Sequence, residues 1–193
     1  QIKLTSVVFK EVTIIPAAGY LSTEVEDGDT WCVDETYDGN FRDYMGAGDE
    51  RPDLTTTDHT GTDYSLSSMN GTMGVIAFNA GDWCPPCETV AEGHQAAWEE
   101  LRSLDERYDV SFVELLVSDN DGDSADQEEA AAWAERFAMT YPVLFGAPAE
   151  AYFNTHIGGM WVPAYWIVDP NGQIRDWVTG ADALTSEVVQ GHF

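Results

Sequence analysis

Apolar residues in this chain gather in short unbroken runs between polar turns. Gly74–Ala80 (GVIAFNA), Val110–Val117 (VSFVELLV) and Ala164–Asp169 (AYWIVD) are such runs, each of strand length. They predict strands buried on both faces. Between the first two, Val90, Ala91, Ala97, Trp98, Leu101 and Leu104 recur at helical spacing, so a helix is expected to about Arg107. Ser124-Ala125-Asp126-Gln127 reads as a capping box opening a second helix through about Met139. Tyr141–Phe145 reads as extended, and Ala149–His156 as a short helix. Pro170-Asn171-Gly172 reads as a hairpin turn, Gln173–Val178 alternates like a strand, and Ala183–Gln190 reads as a terminal helix.

Helices between the first strands imply parallel pairing, and the tight turn at Asn171-Gly172 implies antiparallel pairing. The expected fold is α/β, a mixed central sheet with helices on both faces. Upstream, Ser65–Gly71 reads as a short helical turn stopped by glycine, and Asp58–Thr62 as a turn between strand-like pieces. Residues 1–50 look different: Val7–Ile15 is β-branched and strand-like, and Glu24–Glu50 is dense in Asp, Glu and Gly. They are read as a β/loop-rich extension on a domain spanning 51–193.

Charge narrows the partners. Among 193 residues there are 35 acids and 8 bases, for a net charge of -27. Such a surface repels phosphate backbones, so nucleic acid is excluded as a partner. It suits either solubility in salty surroundings or an acidic docking face for a basic protein. No run of about 18 apolar residues exists to span a membrane. Gln1–Lys10 does not read as a signal peptide, and a tether could still lie outside this stretch.

Three cysteines are too few for a disulfide scaffold, and no second Cys/His set completes a zinc site. Cys84 and Cys87 stand in Trp83-Cys84-Pro85-Pro86-Cys87, between a buried strand and a helix. Proline is tolerated in a first helical turn because those N–H groups have no intrahelical partner. Cys84 is then the capping residue at the positive end of the helix dipole. Its sulfur is expected to accept the Cys87 N–H. Both effects favour the nucleophilic thiolate. Cys87, three residues on and on the same face, is expected to be less exposed and to resolve the mixed disulfide.

Trp83–Cys87 resembles the active site of the thioredoxin superfamily. Its Pro-Pro form is similar to extracytoplasmic bacterial reductases of the TlpA/ResA type, relatives of the AhpC/TSA proteins. Trp161–Gly172 (WVPAYWIVDPNG) resembles the second hallmark of that family, a cis-proline before a strand and turn. The resemblance covers about residues 51–193. It implies a thioredoxin-like fold and a protein-disulfide reductase with no cofactor beyond its redox-active disulfide. It also implies an extracytoplasmic, periplasmic or membrane-tethered setting and partner proteins bearing disulfides or dithiols. Pro163 would be the cis-proline facing the cysteines. Val162 would pair its backbone with a substrate strand, and Trp83 would border the substrate.

The chain departs from that pattern. Val90 stands where the family commonly has Glu, and the strand before the motif offers only Ala77, Phe78 and Asn79 where thioredoxins carry a buried acid. Glu114, interrupting the apolar run 112–116, could fill the vacancy as a proton relay for Cys87. Alternatively it points into a solvated gap or pairs with an arginine. Asp82, Glu88 and Glu92 flank Cys84 with no base nearby. Negative neighbours disfavour thiolate, so a reductant or isomerase is expected rather than a strong oxidant.

Other features are ambiguous. Cys32 reads as a free thiol, an intermolecular bridge or a third redox partner. Asp119–Asp123 tempts a calcium reading, but Ser124 stands where an EF-hand loop needs glycine, so no metal site is assigned. A peroxiredoxin is disfavoured because Gly81, not Thr, lies three residues before Cys84. A redox-silent binding module is the remaining alternative.

Overall fold

The computed structural model describes residues 20–24, 30–34, 45–81, 83–103, 109–119, 121–157, 162–180, 184 and 186–192, with backbone alone for 20–24, 30–34, 186 and 187. Two small antiparallel pairs precede the main sheet. They are β1 (Tyr20–Glu24) with β2 (Thr30–Asp34), and β3 (Thr55–Thr57) with β4 (Asp63–Ser65). β2 falls in the stretch read as loop-rich, because a ladder supplied by β1 stabilises residues that local composition does not. The Val7–Ile15 run lies outside the described residues. A single 3-10 turn, Leu66–Met69, leads into β5 (Met73–Asn79), in which every residue is buried.

The chain then runs through α1 (Pro85–Ser103), β6 (Val110–Leu116), α2 (Gln127–Arg136), β7 (Val143–Leu144) and α3 (Gly146–His156). It closes with β8 (Ala164–Val168), β9 (Ile174–Thr179) and α4 (Ser186–Gln190). The sheet order is β7-β6-β5-β8-β9, with β5, β6 and β7 parallel and β8 and β9 antiparallel to their neighbours. Successive crossovers in one direction place α1 and α2 on the same face. Glu114 of β6 accordingly meets both His94 of α1 and Trp133 of α2. On the opposite face Phe153 of α3 packs against Phe78 of β5, with ring centroids 5.8 Å apart, and Trp166 of β8 meets the same ring edge-on.

Local signals explain most boundaries. Gly172 sits at φ +85° in the β8–β9 turn, a conformation that only glycine adopts freely. The α2 cap is Asp126, two residues beyond the Ser124 expected from sequence. The Asp126 side chain takes the Glu129 N–H at 3.0 Å, and Glu129 returns the bond to the Asp126 N–H at 2.8 Å. The Ser124 hydroxyl bonds Glu150 instead, so it is spent on a tertiary contact.

Candidate active site

α1 starts at Pro85, directly after Cys84. Neither Pro85 nor Pro86 has an N–H to leave unpaired, and the next two N–H groups find the Cys84 carbonyl. Cys87 N donates to it at 2.9 Å and Glu88 N at 3.2 Å. The Cys87 N–H was expected on the Cys84 sulfur; it goes to the carbonyl oxygen because the backbone acceptor lies on the helical path. Cys84 N in turn donates to Gly81 O at 3.0 Å, closing a tight turn at the end of β5. Gly81 N to Ser118 O (3.0 Å) and Trp83 Nε1 to Ser118 Oγ (3.1 Å) tie that loop to the end of β6.

Cys84 and Cys87 form a disulfide, with Cα atoms 5.3 Å apart. The Cys84 sulfur lies 3.9 Å from the Val162 carbonyl oxygen, and the Cys87 sulfur 3.5 Å from Ala80 N. The Val162–Pro163 peptide is cis. Gly180 N donates to Pro163 O at 3.0 Å, holding this segment to the end of β9. Cys84, Cys87, Val162 and Pro163 therefore meet at one point, with partly buried Trp83 beside them. Trp161 lies outside the described residues. Cys84 was expected to be the more exposed cysteine, yet both have 0% exposure. In the oxidised pair the Val162 segment packs against the first sulfur, which sequence position alone does not reveal.

Glu114 is fully buried opposite Ala77 of β5. It points neither into a solvated gap nor at an arginine, the two readings weighed against a proton relay: it meets a histidine. Its Oε2 lies 3.0 Å from His94 Nδ1 and accepts from Tyr141 OH at 3.3 Å, and its Oε1 accepts from Trp133 Nε1 at 2.6 Å. His94 Nε2 is 3.0 Å from Tyr165 OH. Burial first, and then the charge of Glu114, push both tyrosines above the ordinary phenol range. Both remain protonated in neutral solution. Sequence reasoning missed His94, although its place seven residues after Cys87 puts it on the same helical stripe. Asn79, two residues on from Ala77 in β5, shares its α1-facing side. It is fully buried, and its amide has no hydrogen-bond partner among the described residues.

Residues 47–177 match the AhpC/TSA family model. This chain belongs to the AhpC/TSA family.

No curated protein matches it. Among solved structures, the AhpC/TSA fold aligns with the peroxidoxin BcpB of Mycobacterium tuberculosis at 20% identity and TM-score 0.56, over 77% of this chain and 94% of that one. A putative thiol:disulfide interchange protein DsbE of Chlorobium tepidum aligns at 20% identity and TM-score 0.55, over 69% and 85%. A secreted disulfide oxidoreductase of M. tuberculosis aligns at 19% and 0.54, over 72% and 95%. At such identities these likenesses establish the thioredoxin-like fold.

Two other features of this AhpC/TSA chain bear on the site. The Glu88 carboxylate beside the redox pair is met by Arg136 at 2.9 Å, which offsets one of the negative neighbours read from sequence. The Asp119 Oδ1 accepts the N–H groups of Asp121 and Asp123, each at 2.8 Å, so this acid closes its own loop. The backbone of Cys32 lies in β2 opposite Ser22, and its side chain is outside the described residues.

Proposed function

We propose that this chain is a thiol–disulfide oxidoreductase that reduces or exchanges disulfides in partner proteins. The observation that carries the reading is the Cys84–Cys87 disulfide at the start of α1, against the Val162–Pro163 segment. In the reduced protein the Cys84 thiolate attacks a partner disulfide, forming a mixed disulfide and expelling one partner thiolate. Cys87 then loses its proton and attacks the Cys84 sulfur. The second partner thiolate leaves, and the 84–87 disulfide returns. Two electrons pass to the partner, and an external dithiol must restore them. Val162 offers its backbone to the partner segment, Trp83 borders it, and Glu114 exchanges protons with Cys87. No cofactor beyond the cysteine pair enters this scheme. An extracytoplasmic setting follows by analogy with the similar proteins, among them a secreted disulfide oxidoreductase.

Turnover in the reducing direction fits the acidic surroundings of Cys84 and the absence of any lysine, arginine or histidine from residues 82–92. Insulin reduction by dithiothreitol tests the reading. Wild type should accelerate it, Cys84→Ser should abolish the acceleration, and Cys87→Ser should trap a mixed disulfide visible by mass spectrometry. A redox-silent binding module is the second reading, favoured by the full burial of the Cys84 sulfur. Equal insulin rates for wild type and Cys84→Ser would select it. A reduction potential as oxidising as that of DsbA, about −120 mV, would overturn the direction.

A further inference from the structure

A cavity of about 130 Å³ opens beside the redox pair. It lies over β6 and α2, and β8, which follows Val162 and Pro163, lies on the other side of β5. The cavity and the Val162 segment thus flank Cys84 from opposite directions. Gly81 forms the near edge, and the turn that joins its carbonyl to Cys84 N keeps the two Cα atoms within about 7 Å. The floor is apolar, made by Leu116 and Trp133. The indole N–H of Trp133 is turned inward to Glu114, which leaves ring carbon to face the cavity.

The rim is charged: Asp119, Glu129 and Arg136. Arg136 is already met by Glu88 on α1. Asp119 uses Oδ1 for its loop, and Glu129 uses Oε2 for the Asp126 N–H. The second oxygen of each carboxylate has no partner among the described residues. The rim therefore presents uncompensated negative charge above an apolar floor. A long side chain with an apolar stem and a cationic head matches both parts, the stem on Trp133 and the head between the acids.

We propose that this cavity receives a lysine or arginine side chain of the partner protein, one or two residues from its reacting cysteine. Two extended residues span about 7 Å, comparable to the upper bound on the Cα separation of Cys84 and Gly81, the cavity's near edge. The net charge of -27 would steer such a basic segment toward the site. This inference rests on the oxidoreductase reading and names the substrate class of the same site.

The test is turnover by the full chain, with dithiothreitol as donor, of three short peptide disulfides. They are identical save for Lys, norleucine or Glu two positions from the cysteine. The Lys peptide should exceed the norleucine peptide in kcat/KM by about fivefold at low salt, with the Glu peptide slowest and the advantage shrinking as salt rises. Glu129→Gln and Asp119→Asn should each lower the Lys-to-norleucine ratio. Both changes keep the local hydrogen bonds, since Gln serves a capping box and Asn closes the same turn. A ratio of one in the wild type, or a ratio that neither variant changes, overturns the inference while leaving the oxidoreductase reading intact. Turnover of none of the three peptides sinks the redox reading and this inference with it.

Discussion

Replacing Glu114 by alanine should destabilise the fold by about 3–5 kcal/mol, the cost of breaking a buried pair by removing one member. The magnitude follows from what the carboxylate satisfies. Trp133 Nε1 at 2.6 Å and His94 Nδ1 at 3.0 Å are short contacts, and Tyr141 OH at 3.3 Å is a longer one. All three partners are buried, so water cannot replace the lost acceptor. Each orphaned donor costs about 1–3 kcal/mol, and the long Tyr141 contact contributes least. The sum is a large part of the about 5–15 kcal/mol that holds a typical domain. Glu114→Gln keeps one carbonyl for Trp133 and should cost about 1–2 kcal/mol. Urea unfolding followed by circular dichroism, with the cysteine pair kept oxidised, measures both. The midpoint should fall at unchanged slope. A double-mutant cycle with His94→Ala should show non-additivity of about 0.5–3 kcal/mol. A loss below about 1 kcal/mol for Glu114→Ala would refute the account, because it would place the acid in contact with solvent.

Asp169 should contribute stability that depends on acid. Burial opposes its ionisation, but the backbone N–H groups of Gln173 and Asn171 and the Arg175 guanidinium outweigh burial and lower its pKa below the ordinary 3.8. A lowered folded-state pKa means the contribution is complete above about 3.8 and fades as pH falls through the folded value. Asp169→Asn should therefore cost about 2 kcal/mol at pH 7 and progressively less below pH 4, measured by urea unfolding at both; an equal deficit at pH 2.5 would contradict this. Gly172→Ala should cost about 1–2 kcal/mol through its positive φ, with Gly172→Asn milder, and a thermal-unfolding series in which Ala and Asn behave alike would count against it.

The strands β5, β6 and β8 and the helix α1 were legible because each is announced by local pattern: apolar runs of strand length, and a helical stripe behind two prolines. The motif around Cys84 was legible for the same reason, since residues 83–87 are contiguous. Burial of the Cys84 sulfur was not, because the segment packed against it lies 78 residues away. The partner of Glu114 was hidden similarly. His94 stands twenty residues before Glu114 and Tyr165 stands 71 beyond His94, and no local periodicity joins them. The α2 cap moved from Ser124 to Asp126 because Glu150 on another helix claimed the serine.

By itself the sequence determined the order of elements from β5 onward, the parallel and antiparallel senses of the central sheet, and the helix start that positions the two cysteines. Those depend on hydrophobic period, turn chemistry and proline stereochemistry, which act over a few residues. Only the tertiary structure decided which polar groups share the interior and which surface lies open beside the redox pair. Such contacts join residues far apart in the chain, and the pairing is selected by how strands and helices stack rather than by any one segment.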